Sequence, residues 1–448
     1  MTNRFSLKPS ALTPWLVCLG AALFFAFVFF QVTMFNTISK SVMHAFDMNS
    51  VSLGYLSATY FIAGALFIIP AGLLLDRFSI RRIALIVMAL CVLSVYLFAI
   101  THSLVLAFAT RAIVGIGNTF AFLASMQLAA RWLPARRLAL GMGLIITTIM
   151  LGGIIAQAPL TLLMGAIGWR GATAVNASLG LVFLVYCFYA LQDAPDPHAA
   201  HHPSEAASTV LLKFWSSMKK PQNWLCSSYT GFMNMPIAIL GELWGTMYLT
   251  HTRHFSMATA ATISSMMFFG MIIGAPALGW LSDHLQRRKA PMIVSAILIL
   301  FIVIAIAYLP IGSALALMAL FFLLGFFSSA QTLGYPTIAE SNSLAMSGTS
   351  LSIAAIVLNV ISFIAQPFYG WLMHTQPVTY NAAGKIVYSA ASFEVAMILL
   401  PAAFIFSLIS AFYIKETHCK PFDHQHIASN ADIDTSSILK STEATQEY

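Results

Sequence analysis

Two ionisable residues stand inside long apolar runs. Arg111 interrupts the run 104–133 and Glu242 the run 224–250. A charge at the centre of a membrane-spanning helix costs at least ~2.5–3.5 kcal/mol, so such residues face an interior or a wet cavity. An arginine stays charged at any relevant pH and can hold a carboxylate through two parallel bonds. A carboxylic acid responds to desolvation and to neighbouring cations, so Glu242 can carry a proton or meet a cationic group. Together the two suit a zwitterion, with the arginine alone suiting an organic anion. Each also has a plainer reading. Glu242 would be a structural acid hydrogen-bonded to a neighbouring helix, and Arg111 a partner for polar groups on the first or second helix.

Uncharged polar residues extend the set. Gln31, Asn36, Tyr60, Asn118, Gln157, Asn234, Trp244, Tyr248, Gln331, Tyr335, Asn359 and Gln366 fall in apolar runs from both halves of the chain. Any one of them could simply join helices, at about 0.6 kcal/mol on average. As a set they read as the lining of a polar binding cavity. Gln157 and Gln366 rank first, because each stands close before a proline in a similar stretch (Ile-Ala-Gln-Ala-Pro and Ile-Ala-Gln-Pro), 209 residues apart. Glu340 and Glu394 lie near run ends and are expected to be solvated. Gly152, Gly153, Gly270 and Gly274 are expected to let helices pack closely, as a rocking interface requires.

The elements that must position these residues follow from composition. The 448 residues are 59% hydrophobic and 8% charged, against the roughly 25% charged residues of a soluble domain, so most of the surface must face lipid. A spanning helix needs about 20 apolar residues. That length predicts twelve, near 13–38, 50–75, 82–101, 104–133, 138–165, 171–191, 224–250, 258–282, 290–311, 314–338, 348–374 and 392–415. With the N-terminus in the cytoplasm, 17 of the 22 Lys and Arg fall in inside segments and 4 outside, and Arg111 is the remaining one. That is the positive-inside bias, and it places both termini in the cytoplasm. The net charge of +7 is spread between apolar runs rather than gathered on one face, which argues against nucleic acid.

The expected organisation is a six-helix bundle over 1–191, a cytoplasmic linker over 192–222, a second bundle over 223–416 and a disordered tail over 417–448. Part of the linker, around Lys213, Phe214, Trp215 and Lys219, is amphipathic and would lie on the bilayer. His198, His201 and His202 occur in a Pro/Ala-rich stretch without an ordered partner, so no metal site is expected there. The five cysteines form no Cys-x-x-Cys pair, and read as buried apolar residues in four cases. No cleavable signal peptide is expected, because the first apolar run is too long for one.

Gly72-Leu-Leu-Leu-Asp76-Arg77-Phe-Ser79-Ile-Arg81-Arg82 ends the second run. Gly279-Trp-Leu-Ser-Asp283-His-Leu-Gln-Arg287-Arg288-Lys289 ends the eighth, 207 residues later. Two like-oriented halves related by an axis along the membrane normal would produce this, a repeat type found in secondary transporters. The first stretch resembles the signature between helices two and three of the major facilitator superfamily, with Ser79 in place of its second glycine. Arg111, Gly115 and Gly117 resemble that superfamily's helix-four signature. The resemblance covers about residues 10 to 416 and implies an all-α membrane fold of twelve helices in two parallel-repeat bundles. It further implies that Gly72, Asp76, Arg77, Arg81 and Arg82, with Asp283, Arg287 and Arg288, latch the two halves at the cytoplasmic side in the outward-open state. Helix seven would line the central cavity, and the helix-four arginine would take part in proton transfer or anion binding.

No Walker loop is present, so ATP is not the energy source, and no nucleophile–base or metal constellation suggests an enzyme. The expected function is proton-coupled import of a small polar organic solute, amino-acid- or peptide-like or an organic anion, by alternating access. The proton gradient is the energy source and no cofactor is needed. The setting would be a bacterial inner membrane, the protein a monomer, and the partners lipid, protons and solute. The alternatives are a proton-driven exporter of drugs or siderophore-like compounds, and a membrane sensor that does not transport. Gly143, Gly152 and Gly153 do not complete the drug-exporter pattern on helix five, which disfavours the first of these.

Overall fold

The computed structural model describes residues 12–194, 207–380, 384 and 386–420. The spans run α1 (Thr13–Ala45), α2 (Ser50–Arg77), α3 (Ile80–Ile100), α4 (Leu104–Trp132), α5 (Ala135–Ile155) and α6 (Ala158–Ala190). The surface helix α7 (Ala207–Met218) follows, and α8 (Pro221–Met233) and α9 (Gly245–Thr252) flank a π-helical stretch, Ile237–Gly241. Next come α10 (Met257–Leu285), α11 (Lys289–Tyr308), α12 (Ala314–Ser328), α13 (Gly334–Glu340) and α14 (Leu344–His374). A two-stranded antiparallel hairpin, β1 (Thr379–Tyr380) with β2 (Ile386–Val387), precedes α15 (Ala390–Ala396) and α16 (Leu399–Tyr413).

Among the described residues ten segments are long and apolar enough to cross a membrane. One of them, Arg136–Ala190, has 55 residues, about 80 Å of helix and far beyond a ~30 Å hydrocarbon core. It doubles back at Gly168, whose φ of 71° is a left-handed turn that suits glycine, so it supplies the fifth and sixth spans. The stretch from α8 to α9 is the seventh span. It is too interrupted to register as one continuous helix.

Four expectations need correction. The seventh helix is not continuous from 224 to 250. Pro236 removes one backbone donor, and the chain then widens to π pitch and breaks at Glu242–Trp244. Only glycine fits at 245, where a Cβ would lie 2.0 Å from Leu240 O. Glu340 is not solvated. Its carboxylate pairs with Arg288 at 2.7 Å and accepts from Thr417 Oγ1 at 2.5 Å. The chain from Thr417 to Lys420 is ordered, because Thr417 is buried on that pair and Cys419 Sγ donates to Ser282 O. Gly270 and Gly274 do pack closely as expected, but on the tenth span (Phe322 O, Phe326 O), within the second set of six rather than across a rocking interface. The three linker histidines and residues 421–448 lie outside the described residues.

Polar caps fix where the helices begin. Asn49, Ser103, Ser256 and Ser313 each accept from a backbone N–H of the first turn. At the end that carries Arg77–Arg82, Arg131–Arg137 and Arg287–Lys289, here the basic end, Ser79 caps α3 by accepting from Arg82 N. Its hydroxyl in turn donates to Asp193 at 2.7 Å, and Arg81 N donates to the same carboxylate at 2.9 Å. The serine that departs from the family glycine thus takes part in the cap. The corresponding place in the second set uses Glu416, which accepts from Arg288 N at 2.8 Å and Lys289 N at 3.0 Å.

The two sets of six meet toward the opposite end. Hydrogen bonds among the described residues that join them there include Ser50 N to Tyr388 OH, Ser50 Oγ to Gly370 O, Gln157 Nε2 to Gly241 O, and Thr246 N to Asn36 Oδ1. A Cβ at Gly54 would come 2.5 Å from Pro367 Cα, and one at Gly370 would come 2.4 Å from Ser50 O. At the basic end, Gly72, Gly143, Gly279 and Gly348 meet nothing within 4 Å. The two sets are thus joined by hydrogen bonds and close backbone contacts toward the opposite end.

Candidate solute and proton site

Arg111 is held by α4 among α1, α2 and α3, only 3% exposed. Its Nη1 donates to Gln31 O at 2.7 Å and its Nη2 to Ser57 O at 3.3 Å. The guanidinium lies 3.9 Å from the centroid of Phe35 and 5.3 Å from that of Tyr60. Desolvated cation–π contacts of this kind are worth about 2 kcal/mol. Arg111 Nε and Gln31 Oε1 are both buried without a partner. Beside them is a cavity of about 10 Å³ lined by Gln31, Ser94, Thr110 and Arg111, room for about one water. The arginine is therefore already a structural partner of the first two spans, with two of its five donors committed to backbone.

Glu242 sits directly after the π-helical stretch, 3% exposed, and its Oε2 has no hydrogen-bond partner. It forms no ion pair with Arg111. The two are nevertheless near enough to act on each other and on Tyr60 electrostatically. A carboxyl group left in this way is costly to bury unless something else meets it.

The polar residues around the break divide into two groups. Gln157 donates both its amide hydrogens, to Gly241 O at 2.9 Å and Thr33 O at 3.2 Å, and accepts from Asn36 Nδ2 at 2.9 Å. Asn36 Oδ1 caps the first turn of α9 through Thr246 N at 2.8 Å. On the other side Gln366 Nε2 donates to Ala238 O at 2.9 Å, while its own backbone oxygen accepts from Trp244 Nε1 at 3.3 Å. Trp244 stacks on Tyr369 at 5.7 Å.

The sequence thus brings Gln31 to Arg111 and gathers Asn36, Gln157, Gln366 and Trp244 about the break that carries Glu242. It does not bring in the others equally. Tyr248 OH donates to Ile306 O, within the second set of spans. Asn359 donates to Ala355 O of its own helix but lies beside Gly64 of α2, where an added Cβ would come 3.8 Å from its Oδ1. Tyr335 is half-buried on α13. Of the latch residues, Asp76 accepts from Gln127 Nε2, Arg81 donates to Phe188 O, and Arg288 pairs with Asp283 at 2.6 Å, each within its own set.

Sequence reading missed Phe35, Ser57, Thr246 and Tyr369. Tyr369, fully buried with an unpartnered hydroxyl, follows Gln366 by three residues and so shares its helix face. That spacing was an available signal. Among the described residues no group of three or more His, Cys, Asp or Glu could hold a metal ion.

This architecture defines a class, and comparison with known proteins names it. The sequence profile of the Major Facilitator Superfamily matches residues 21–366 and 243–439, and the chain belongs to that superfamily. It is 21% identical over 271 residues to a probable sulfoacetate transporter of Cupriavidus necator, spanning 58% of this chain and 62% of that one. It is 22% identical over 407 residues to a probable galactarate/D-glucarate transporter of Escherichia coli, spanning 80% of this chain and 88% of the relative. In fold it resembles a bacterial homologue of the human lysosomal transporter Spinster, solved inward-facing and unoccupied. The TM-score is 0.68 at 16% identity, covering 92% of this chain and 97% of that one.

Proposed function

We propose that this chain is a proton-coupled secondary transporter that imports a small organic anion by alternating access. The observation that carries the reading is the buried Glu242 carboxyl, unpartnered at Oε2 and seated at the break of the seventh span within electrostatic reach of Arg111. A carboxyl whose surroundings change between access states binds and releases a proton as those states exchange. The remaining donors of Arg111 suit a carboxylate or sulfonate. The named solutes of the two relatives, sulfoacetate and a sugar diacid, support an anion over the amino-acid- or peptide-like class.

In this reading the basic end is cytoplasmic in a bacterial inner membrane, and the hydrogen-bonded opposite end makes this the inward-facing state. Residues 1–191 and 223–416 move as two bodies joined by 192–222, and the protein works as a monomer. Gly72, Asp76, Arg77, Arg81 and Arg82, with Asp283, Arg287 and Arg288, close over the basic end in the other state. Proteoliposome uptake of sulfoacetate and galactarate, with and without an imposed pH gradient, tests this. The Glu242→Gln variant is expected to keep solute exchange and to lose gradient-driven accumulation, which falls to the level of equilibrated vesicles. Unchanged accumulation by that variant would remove the proton role. Outward pumping of solute or dye would establish the exporter, and no movement of any solute the sensor.

A further inference from the structure

The two repeat-related glutamines both reach the same irregular stretch of the seventh span, yet from different bodies. Gln366 comes from α14, in the same set of six as the stretch it touches, while Gln157 comes from the other set. Each is 0% exposed. The change to π pitch and the break after it take carbonyls out of the regular ladder, and a buried carbonyl without a donor is unfavourable. Gln366 supplies Ala238 O and Gln157 supplies Gly241 O.

When two bodies separate, bonds within one of them survive and bonds across the seam do not. We propose that the pair has divided its labour. Gln366 is a permanent splint of the broken span, whereas Gln157, oriented by Asn36, is a releasable clasp that holds the opposite end shut and positions Glu242. This rests on the alternating-access reading above. On opening, Gly241 O exchanges the Gln157 amide for water entering the crevice, and Thr246 N loses Asn36 Oδ1 in the same movement. The residue after Gly241 is Glu242, so the clasp changes the carboxyl's neighbourhood at the moment that end opens. Substrate contact is not needed to explain either glutamine.

The test is double electron–electron resonance on the full chain in nanodiscs. Nitroxide labels are placed through His102→Cys and Gly312→Cys, on exposed loops of the two sets at the opposite end, with the native cysteines replaced. Gln157→Leu and Asn36→Leu are expected to enlarge the long-distance population about two- to tenfold, the equivalent of one net hydrogen bond. Gln157→Met keeps the length but removes the donor, and must shift the distances the same way if the leucine variant fails to fold. Gln366→Leu is expected to leave the distances alone and to lower the melting temperature. An unchanged distribution in folded Gln157 variants, or the same shift from Gln366→Leu, overturns the proposal. Repeating the measurement in a Glu242→Gln background separates the two readings. A shift that persists there supports the clasp whatever becomes of proton coupling, and its disappearance shows that the carboxyl and not the clasp sets the equilibrium.

Discussion

Arg111 is anchored before any solute arrives, since its guanidinium packs against two aromatic rings and bonds to carbonyls of two helices. Charge-assisted bonds of this kind are worth about 1.5–3 kcal/mol each. Arg111→Lys keeps the charge but lacks the planar fork that spans both carbonyls. We expect it to lower the melting temperature clearly and to reduce uptake by more than the loss of folded protein explains, as read by thermal shift beside transport per folded molecule. At the basic end Glu416 gives a prediction with a pH sign. Burial would raise its carboxyl, but bonds from the backbone N–H groups of Arg288, Lys289, His418 and Thr417 hold it below its ordinary 4.5. An acid held low in the folded state stabilises at pH above its unfolded value, and that contribution is lost as pH falls through the folded value. The stability gap between the native chain and Glu416→Gln is therefore expected to be full at pH 7 and to close below about pH 4.5, by thermal unfolding across pH.

At the scale of elements, the seventh span shows what sequence reading could and could not reach. Glu242 within the seventh apolar run was legible as an intramembrane acid. The π pitch, the break and the partners of its carbonyls were not legible, because side chains 85 residues before and 124 after Glu242 in sequence decide them. The basic residues of the loop after the second span, Arg77, Arg81 and Arg82, were legible. The engagement of Ser79 with Asp193 was not readable, since that bond spans 114 residues. The hairpin between α14 and α15, whose Tyr388 hydroxyl accepts from Ser50 N, gave no sequence signal either, because each of its strands has two residues.

At the scale of the molecule, a few glycines mark where the two sets touch. A side chain at Gly54 would meet Pro367 and Gln366 across the seam, while one at Gly72 meets nothing within 4 Å. Gly54→Val is expected to hold the opposite end open, and Gly72→Val to be tolerated in the conformation seen here. Cysteine-accessibility labelling from each side of sealed vesicles checks both. Equal labelling patterns for the two variants would count against two bodies moving about a shared site.

The sequence by itself determined that this chain lives in a membrane, that it crosses about twelve times, that it is built as two similar sets, and which charges cannot face lipid. Those features follow from composition and from periods of about 20 apolar residues, and both are local. Tertiary structure alone decided the rest. It decided that Arg111 is braced by backbone, that Glu242 keeps an unpartnered oxygen, that Gln157 and Gln366 share one broken helix from different bodies, and that the two sets are joined at the end opposite the basic clusters. Hydrogen bonds inside a low-dielectric bundle join residues far apart in the chain, and their partners are fixed only when the helices have packed.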